Sequence, residues 1–443
     1  MKTKNKILAT VEIAIVLCSV FLLALPAIAA ASEIYEHGPL DVFGNANEDD
    51  TIDMRDTTYI KLVIFGKKPK TDLSDANYDG KVSMLDVGQT KLIILGKEKK
   101  LTYIDIFGEA ETVNKPIERL AQLGLSSMQV TRMLGAWDII VCVASPKGSF
   151  PLMYPDEISK LPAVGNKPDI CDHEMILSLM PNAVMTNLEA KWALIGGLEQ
   201  KRMFEEKLPG IPIISLNMRE MDTLSENVRT YGYILDREDE AEEFIDWYEG
   251  YYNVFKSRTE ELSEDEKPRV IYENDNKPYQ CIATGSRFGQ ALFLAGGYNI
   301  VDEIVGPDHP QYGTITVDVD PEWVIEQNPE IIFIRGLASR YGGYGTDDPS
   351  EFVALRQKIF DRPELANVDA VKNKCVYVLG SQLLEGAGCG VIGIAYMGKL
   401  FQSDRFTDID PQAVHQEYVD KFCHIDFDVR KHGVFFYPPI EEW

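Results

Sequence analysis

The sequence predicts an α/β protein of two lobes with parallel sheets, joined by a long helix and preceded by a small all-α module. Three observations carry this: a 30-residue internal repeat near the start, short apolar runs alternating with helical patterns from Leu101 onward, and a glycine-poor helical stretch that divides the alternation in two. The 443 residues are 45% hydrophobic and 10% aromatic, a globular composition with room for two or three domains.

Net charge is -26, from 70 acidic and 44 basic residues, and no basic patch interrupts it. A nucleic-acid backbone would be repelled, so a nucleic-acid partner is not expected. Residues 1–31 read as an export signal: Lys2, Lys4 and Lys6 lead an uncharged run from Ile13 to Ala31 with small residues at its end. The run has 19 residues, so an uncleaved membrane anchor stays open beside a cleaved signal. The expected location is the cell surface, the extracellular space or the periplasm. Cys142, Cys171, Cys281, Cys375, Cys389 and Cys423 are widely spaced with no CxxC, which favours buried thiols and leaves disulfides open.

Residues 45–67 and 75–97 align at an offset of 30 without gaps. In the second copy Asp75, Asn77, Asp79, Ser83 and Asp86 occupy loop positions 1, 3, 5, 9 and 12, with Gly80 at the turn. In the first copy Asn45, Asn47, Asp49, Asp53 and Asp56 hold the same places, and Asp50 replaces the glycine. This is the spacing at which alternate oxygens of a turning loop converge on a hard cation, so Ca2+ is expected, more weakly in the first loop. Each loop is followed by one helix. Residues 41–100 on these grounds resemble a type I dockerin, which implies a cohesin domain as partner. Loop positions 10 and 11, Met54-Arg55 and Met84-Leu85, depart from the hydroxyl pair that many dockerins carry there.

Beyond Leu101 the expected strands are 119–123, 139–144, 183–186, 211–216, 269–273, 331–335 and 375–379. Between the fourth and fifth, residues 223–266 form the linker, with Phe244, Ile245, Tyr248, Tyr251, Tyr252 and Phe255 at helical spacing. About 24 continuous helical residues would measure about 36 Å. The lobes are then 101–222 and 267–443, the second ending in a helical tail. They echo each other: Glu174 precedes Pro181 and a strand by the spacing at which Glu322 precedes Pro329 and a strand.

Residues 101–437 resemble the substrate-binding proteins that deliver ferric siderophores, haem or cobalamin to ABC importers, the class III periplasmic-binding-protein architecture of two Rossmann-like lobes and a rigid helix. The resemblance lies in Tyr103–Gly108 through Lys115–Arg119, Val164-Gly165, Ser286–Gly297 with Asn299-Ile300, and Phe406–Pro411. It implies no enzyme activity, an ABC permease as partner, and one docking glutamate per lobe, here Glu174 and Glu322. A monomer is expected.

Loops after strand ends are the ligand candidates in open α/β sheets. Arg335, Arg340, Tyr341 and Tyr344 suit an anionic, planar or aromatic ligand, with Arg287 beside them and Tyr154 and Trp192 as an opposing wall. The six histidines are scattered, which argues for an iron chelate or corrinoid over a bare ion. Gly388–Gly393 matches GxGxxG without a second strand behind it and reads as a loop opening a helix. Two alternatives remain: a dockerin-borne enzyme with acid and base among Asp318, Asp320 and Glu322, or a surface scaffold component assembled through cohesin. Asp318 and Asp320 precede a helix start, where capping carboxylates belong.

Overall fold

The computed structural model describes residues 40–145, 160–188, 197–275, 277–283, 285–306, 309, 311, 316–336 and 343–439. The expected export segment lies outside them. Among the described residues no helix is long and apolar enough to cross a membrane.

The repeat forms two helices, α1 (Met54–Ile64) and α2 (Met84–Ile94). Each starts on a capping box, Asp53 with Asp56 and Ser83 with Asp86, which satisfies amides that the first helical turn leaves open. Ala46, Ile60 and Val87 pack between the two copies. The module does not end cleanly at residue 100. Val42 pairs with Tyr103 of strand β1 (Lys100–Ile104), which forms an antiparallel ribbon with β2 (Ala110–Asn114). Leu40, Val42, Ile52 and Ile93 share one core with Leu101, Tyr103 and Val113.

The first lobe is a four-stranded parallel sheet in the order β4 (Ile140–Val143), β3 (Leu120–Gln122), β5 (Ala183–Thr186), β6 (Ile213–Ser215). Its helices are α3 (Leu125–Met133), α4 (His173–Ser178) and α5 (Gly197–Lys207). The expected single linker is two helices, α6 (Leu224–Leu235) and α7 (Glu238–Thr259), because Asp236 adopts φ 57° and closes the first. The 22 residues of α7 give about 33 Å, close to the expected span.

The second lobe carries a mixed sheet in the order β10 (Thr316–Asp318), β8 (Gln280–Ile282), β7 (Arg269–Asn274), β11 (Ile331–Gly336), β12 (Val376–Gly380), β13 (Phe436–Tyr437), and β9 (Tyr298–Asn299) also pairs with β7. Around it run α8 (Arg287–Leu294), α9 (Pro321–Gln327), α10 (Ser350–Phe360), α11 (Asp369–Lys372), α12 (Gln382–Glu385), α13 (Gly390–Phe401) and α14 (Pro411–Tyr418). The Gly388–Gly393 motif does open a helix, α13. Phe244 and Trp247 of α7 pack on Phe422, and Trp247 also meets Tyr418, so the carboxy-terminal segment braces the linker. The six cysteines among the described residues are free, and five of them are buried.

Candidate functional site

The carboxyl ends of β3, β5 and β6 in one lobe and of β7, β11 and β12 in the other supply the loops where the lobes meet. At the seam, Ser126 Oγ donates to the Glu385 carbonyl at 3.4 Å and the Ala387 amide donates to Gln129 Oε1 at 3.1 Å. Gly386 permits this approach: a Cβ there would stand 2.5 Å from Gln129 Oε1. Arg219, after β6, donates from Nε to Ser126 Oγ at 2.9 Å.

Several buried amide atoms at these strand ends lack a hydrogen-bond partner among the described residues. They are both side-chain polar atoms of Asn187 and of Gln382, and Oδ1 of Asn274. Gln382 is 3% exposed and is fitted against two glycines, since a Cβ at Gly380 or Gly343 would lie 2.7 or 2.8 Å from its Nε2. Orphaned buried amides carry a desolvation cost of about 1–3 kcal/mol each unless a ligand or water meets them.

The ligand residues expected from sequence divide into three groups. Tyr154, Trp192, Arg340 and Tyr341 lie outside the described residues. Arg335 and Arg287 converge on one ring: their guanidiniums lie 4.5 and 4.7 Å from the centroid of Phe288, a stacking arrangement that favours arginine. Arg335 is also ion-paired with Glu385, which neutralises it. Tyr344 is a correction to the expected ligand residues of the Arg/Tyr loop. It is buried against Phe427 and Phe435, and its hydroxyl meets His415 Nε2 at 2.6 Å, so it packs the interior. Burial brings His415 down to about 3.

Sequence reasoning missed a cavity of about 450 Å3 on the flank of this seam. Asp41 of the module, Asn217, Glu220 and Glu226 of the first lobe and linker, and Gln290 of the second lobe line it. No basic side chain is among its lining residues. Its members are distant in sequence, so no local pattern reveals it.

Glu174 and Glu322 are both exposed and both in the first turn of a helix capped by an aspartate, Asp172 or Asp320. The symmetry extends further: Met180 and Asn328, each just before the proline, take φ 49° and 46°. Ile170, Met175, Leu177 and Met180 leave an apolar surface exposed near Glu174.

In the repeat, Asp56 accepts the amides of Asn47 and Asp53 at 3.1 and 2.8 Å, and Asp86 accepts those of Asn77 and Ser83 at 3.1 and 2.7 Å. Burial pushes Asp56 up to about 6. Asp75 accepts the amides of Asp79 and Gly80, which closes the second loop. Among the described residues no three His, Cys, Asp or Glu side chains form a metal cage, so a cation here would draw on amide, hydroxyl and backbone oxygens as well. The donor set is all oxygen, which suits calcium. Asn45 fits that role too: it is fully buried, and its Oδ1 has no hydrogen-bond partner.

Comparison with known proteins agrees with this architecture. A family model described as Periplasmic binding protein matches residues 120–383, more than half of the chain. The vitamin B12-binding protein of Vibrio campbellii is 21% identical over 278 residues, covering 61% of this chain and 92% of that protein. Among solved structures, the TroA-like periplasmic binding protein FepB from Veillonella parvula superposes with a TM-score of 0.62 at 21% identity, over 76% of this chain and 98% of that one. The molybdate periplasmic binding protein MolA of Haemophilus influenzae gives 0.57 at 18% identity, over 74% and 98%. The chain belongs to the periplasmic binding protein family, the exported, non-enzymatic substrate-binding proteins that serve the permeases of ABC transporters.

Proposed function

We propose that the cleft receives a corrinoid. The observation that carries this reading is the set of amide atoms at the strand ends without a partner among the described residues: both polar atoms of Asn187 and of Gln382, and Oδ1 of Asn274. A corrinoid has a rim of neutral carboxamides that both donate and accept, which matches protein amides. Haem and most ferric siderophores present carboxylates or catecholates and call for uncompensated cations, whereas Arg335 is paired with Glu385. The vitamin B12-binding relative supports the same choice. Titration calorimetry with cyanocobalamin, haemin and a ferric catecholate tests it. Cobalamin binding, weakened about tenfold by Gln382→Ala, is expected from the loss of one net hydrogen bond. Binding of haemin or the ferric catecholate with no response to cobalamin would overturn it.

In this reading Glu174 and Glu322 dock on basic sockets of the permease, one per lobe, so that both ion pairs form at a single lobe spacing. Reversing both charges should abolish uptake in proteoliposomes while ligand binding persists. Calcium belongs to the paired loops, held by Asn45, Asn47, Asp49, Asp53 and Asp56 and by Asp75, Asn77, Asp79, Ser83 and Asp86, and would supply a structural charge. The exposed Met54, Phe65, Met84, Leu85 and Leu95 of the module offer a face for a cohesin-type partner.

A further inference from the structure

We propose that Arg55 is a tethered counter-cation of the first loop, competing with calcium there and leaving the second loop as the tight site. This rests on the calcium reading above.

The geometry is asymmetric where the repeat is otherwise close. Arg55 Nη1 lies 3.1 Å from Asp49 Oδ2 and Nε lies 2.8 Å from Asp53 Oδ2, so one guanidinium engages loop positions 5 and 9 together. The equivalent residue of the second copy is Leu85, and among the described residues no basic side chain pairs with Asp75, Asp79 or Asp86. The turns differ as well. Gly80 takes φ 90°, whereas Asp50 at the same position is not among the residues of positive φ, although Glu48 and Tyr78 two residues earlier match at 59° and 56°.

A divalent ion entering the first loop must displace the guanidinium from two carboxylates. Exposed pairs of this kind are individually weak, and here two are lost together. Their loss therefore corresponds to about three- to thirtyfold in affinity. The second loop faces no such exchange. Displacement also returns a positive charge to the surface beside Met54, which is 54% exposed, so the outer face of the first helix changes charge with calcium level.

The test is calcium titration of the full exported chain by calorimetry, with one loop silenced at a time. In an Asp75→Ala background only the first loop reports; there Arg55→Leu should tighten binding about three- to thirtyfold, while Arg55→Lys stays nearer the parent. In an Asp49→Ala background only the second loop reports, and Leu85→Arg should weaken it by a similar factor. Circular dichroism of each variant confirms that the helices persist. Unchanged first-loop affinity in Arg55→Leu, with the second loop still binding, overturns the role of Arg55 alone. Absence of calcium binding in both single-loop backgrounds and in the parent overturns the calcium reading and this one with it.

Discussion

In the first lobe Lys201, 1% exposed at its side chain, faces Asp105 at 2.7 Å, Glu109 and Glu111 at 3.3 Å and Glu205 at 3.7 Å. In the second lobe Arg362 grips a single acid, Glu273, with Nη1 and Nη2 at 2.8 and 2.6 Å. A compact ammonium can gather several carboxylates without a fixed plane, so Lys201 ties the β1–β2 turn to α5 through a cluster of charges and hydrogen bonds. A guanidinium offers a rigid fork that fits one carboxylate, so Arg362 ties β7 to the end of α10 through shape. The difference is in what remains when the cation is lost: four acids around an empty point, or one acid in a polar pocket.

That contrast ranks the outcomes. Lys201→Met should destabilise the first lobe by about 4–5 kcal/mol, the upper end for breaking a buried ion pair, because repulsion among the acids adds to the loss. Arg362→Met should cost about 3 kcal/mol in the second lobe, and Arg362→Lys less, since charge survives without the fork. Chemical denaturation followed by lobe-resolved hydrogen exchange measures both; equal losses would erase the distinction.

Acid separates the lobes by a smaller effect. His415, fully buried with a folded value near 3 against about 6.5 unfolded, binds its proton only when the chain opens. The segment packed on the second lobe therefore loses stability as pH falls from about 6.5 to 3, at up to about 1.4 kcal/mol per unit. Glu111 works the other way. Burial chiefly holds it above its ordinary value, so the first lobe gains as pH falls through its folded value. Hydrogen exchange at pH 7 and 5 should show the second lobe opening first, and His415→Phe should flatten its slope. The smallest effect is expected for Glu109→Gln, within about 0.5 kcal/mol, since that carboxylate is 31% exposed and one of several.

The seven expected strands all appear within two residues of their predicted ends, because buried parallel strands are written as unbroken apolar runs. The antiparallel strands β8, β10 and β13 were not legible, because at two or three residues each they are too short to carry a pattern. The loop spacing in the repeat was legible residue by residue, and so was the Glu174 and Glu322 symmetry. The cleft was legible only as loops. Gln382 lies just beyond the predicted strand 375–379, where ligand loops are expected, but nothing local says that its amide lacks a partner. Arg335 reads as a free cation until Glu385, 50 residues away, is seen beside it. Tyr344 likewise reads as a ligand residue until the fold brings His415, 71 residues on, to its hydroxyl. Local chemistry survives in sequence, whereas compensation between distant residues does not.

The union of the repeat with the first lobe has a mechanical consequence. The Ile52 amide donates to the Tyr233 hydroxyl at 3.0 Å, and Lys115 is clamped by Glu98 at 3.1 Å and Asp236 at 2.7 Å, which joins module, ribbon and α6 in one body. Whatever holds the module thus holds the first lobe as a handle. Any change in the spacing of the two lobes would then be a displacement of the second lobe relative to whatever holds the module.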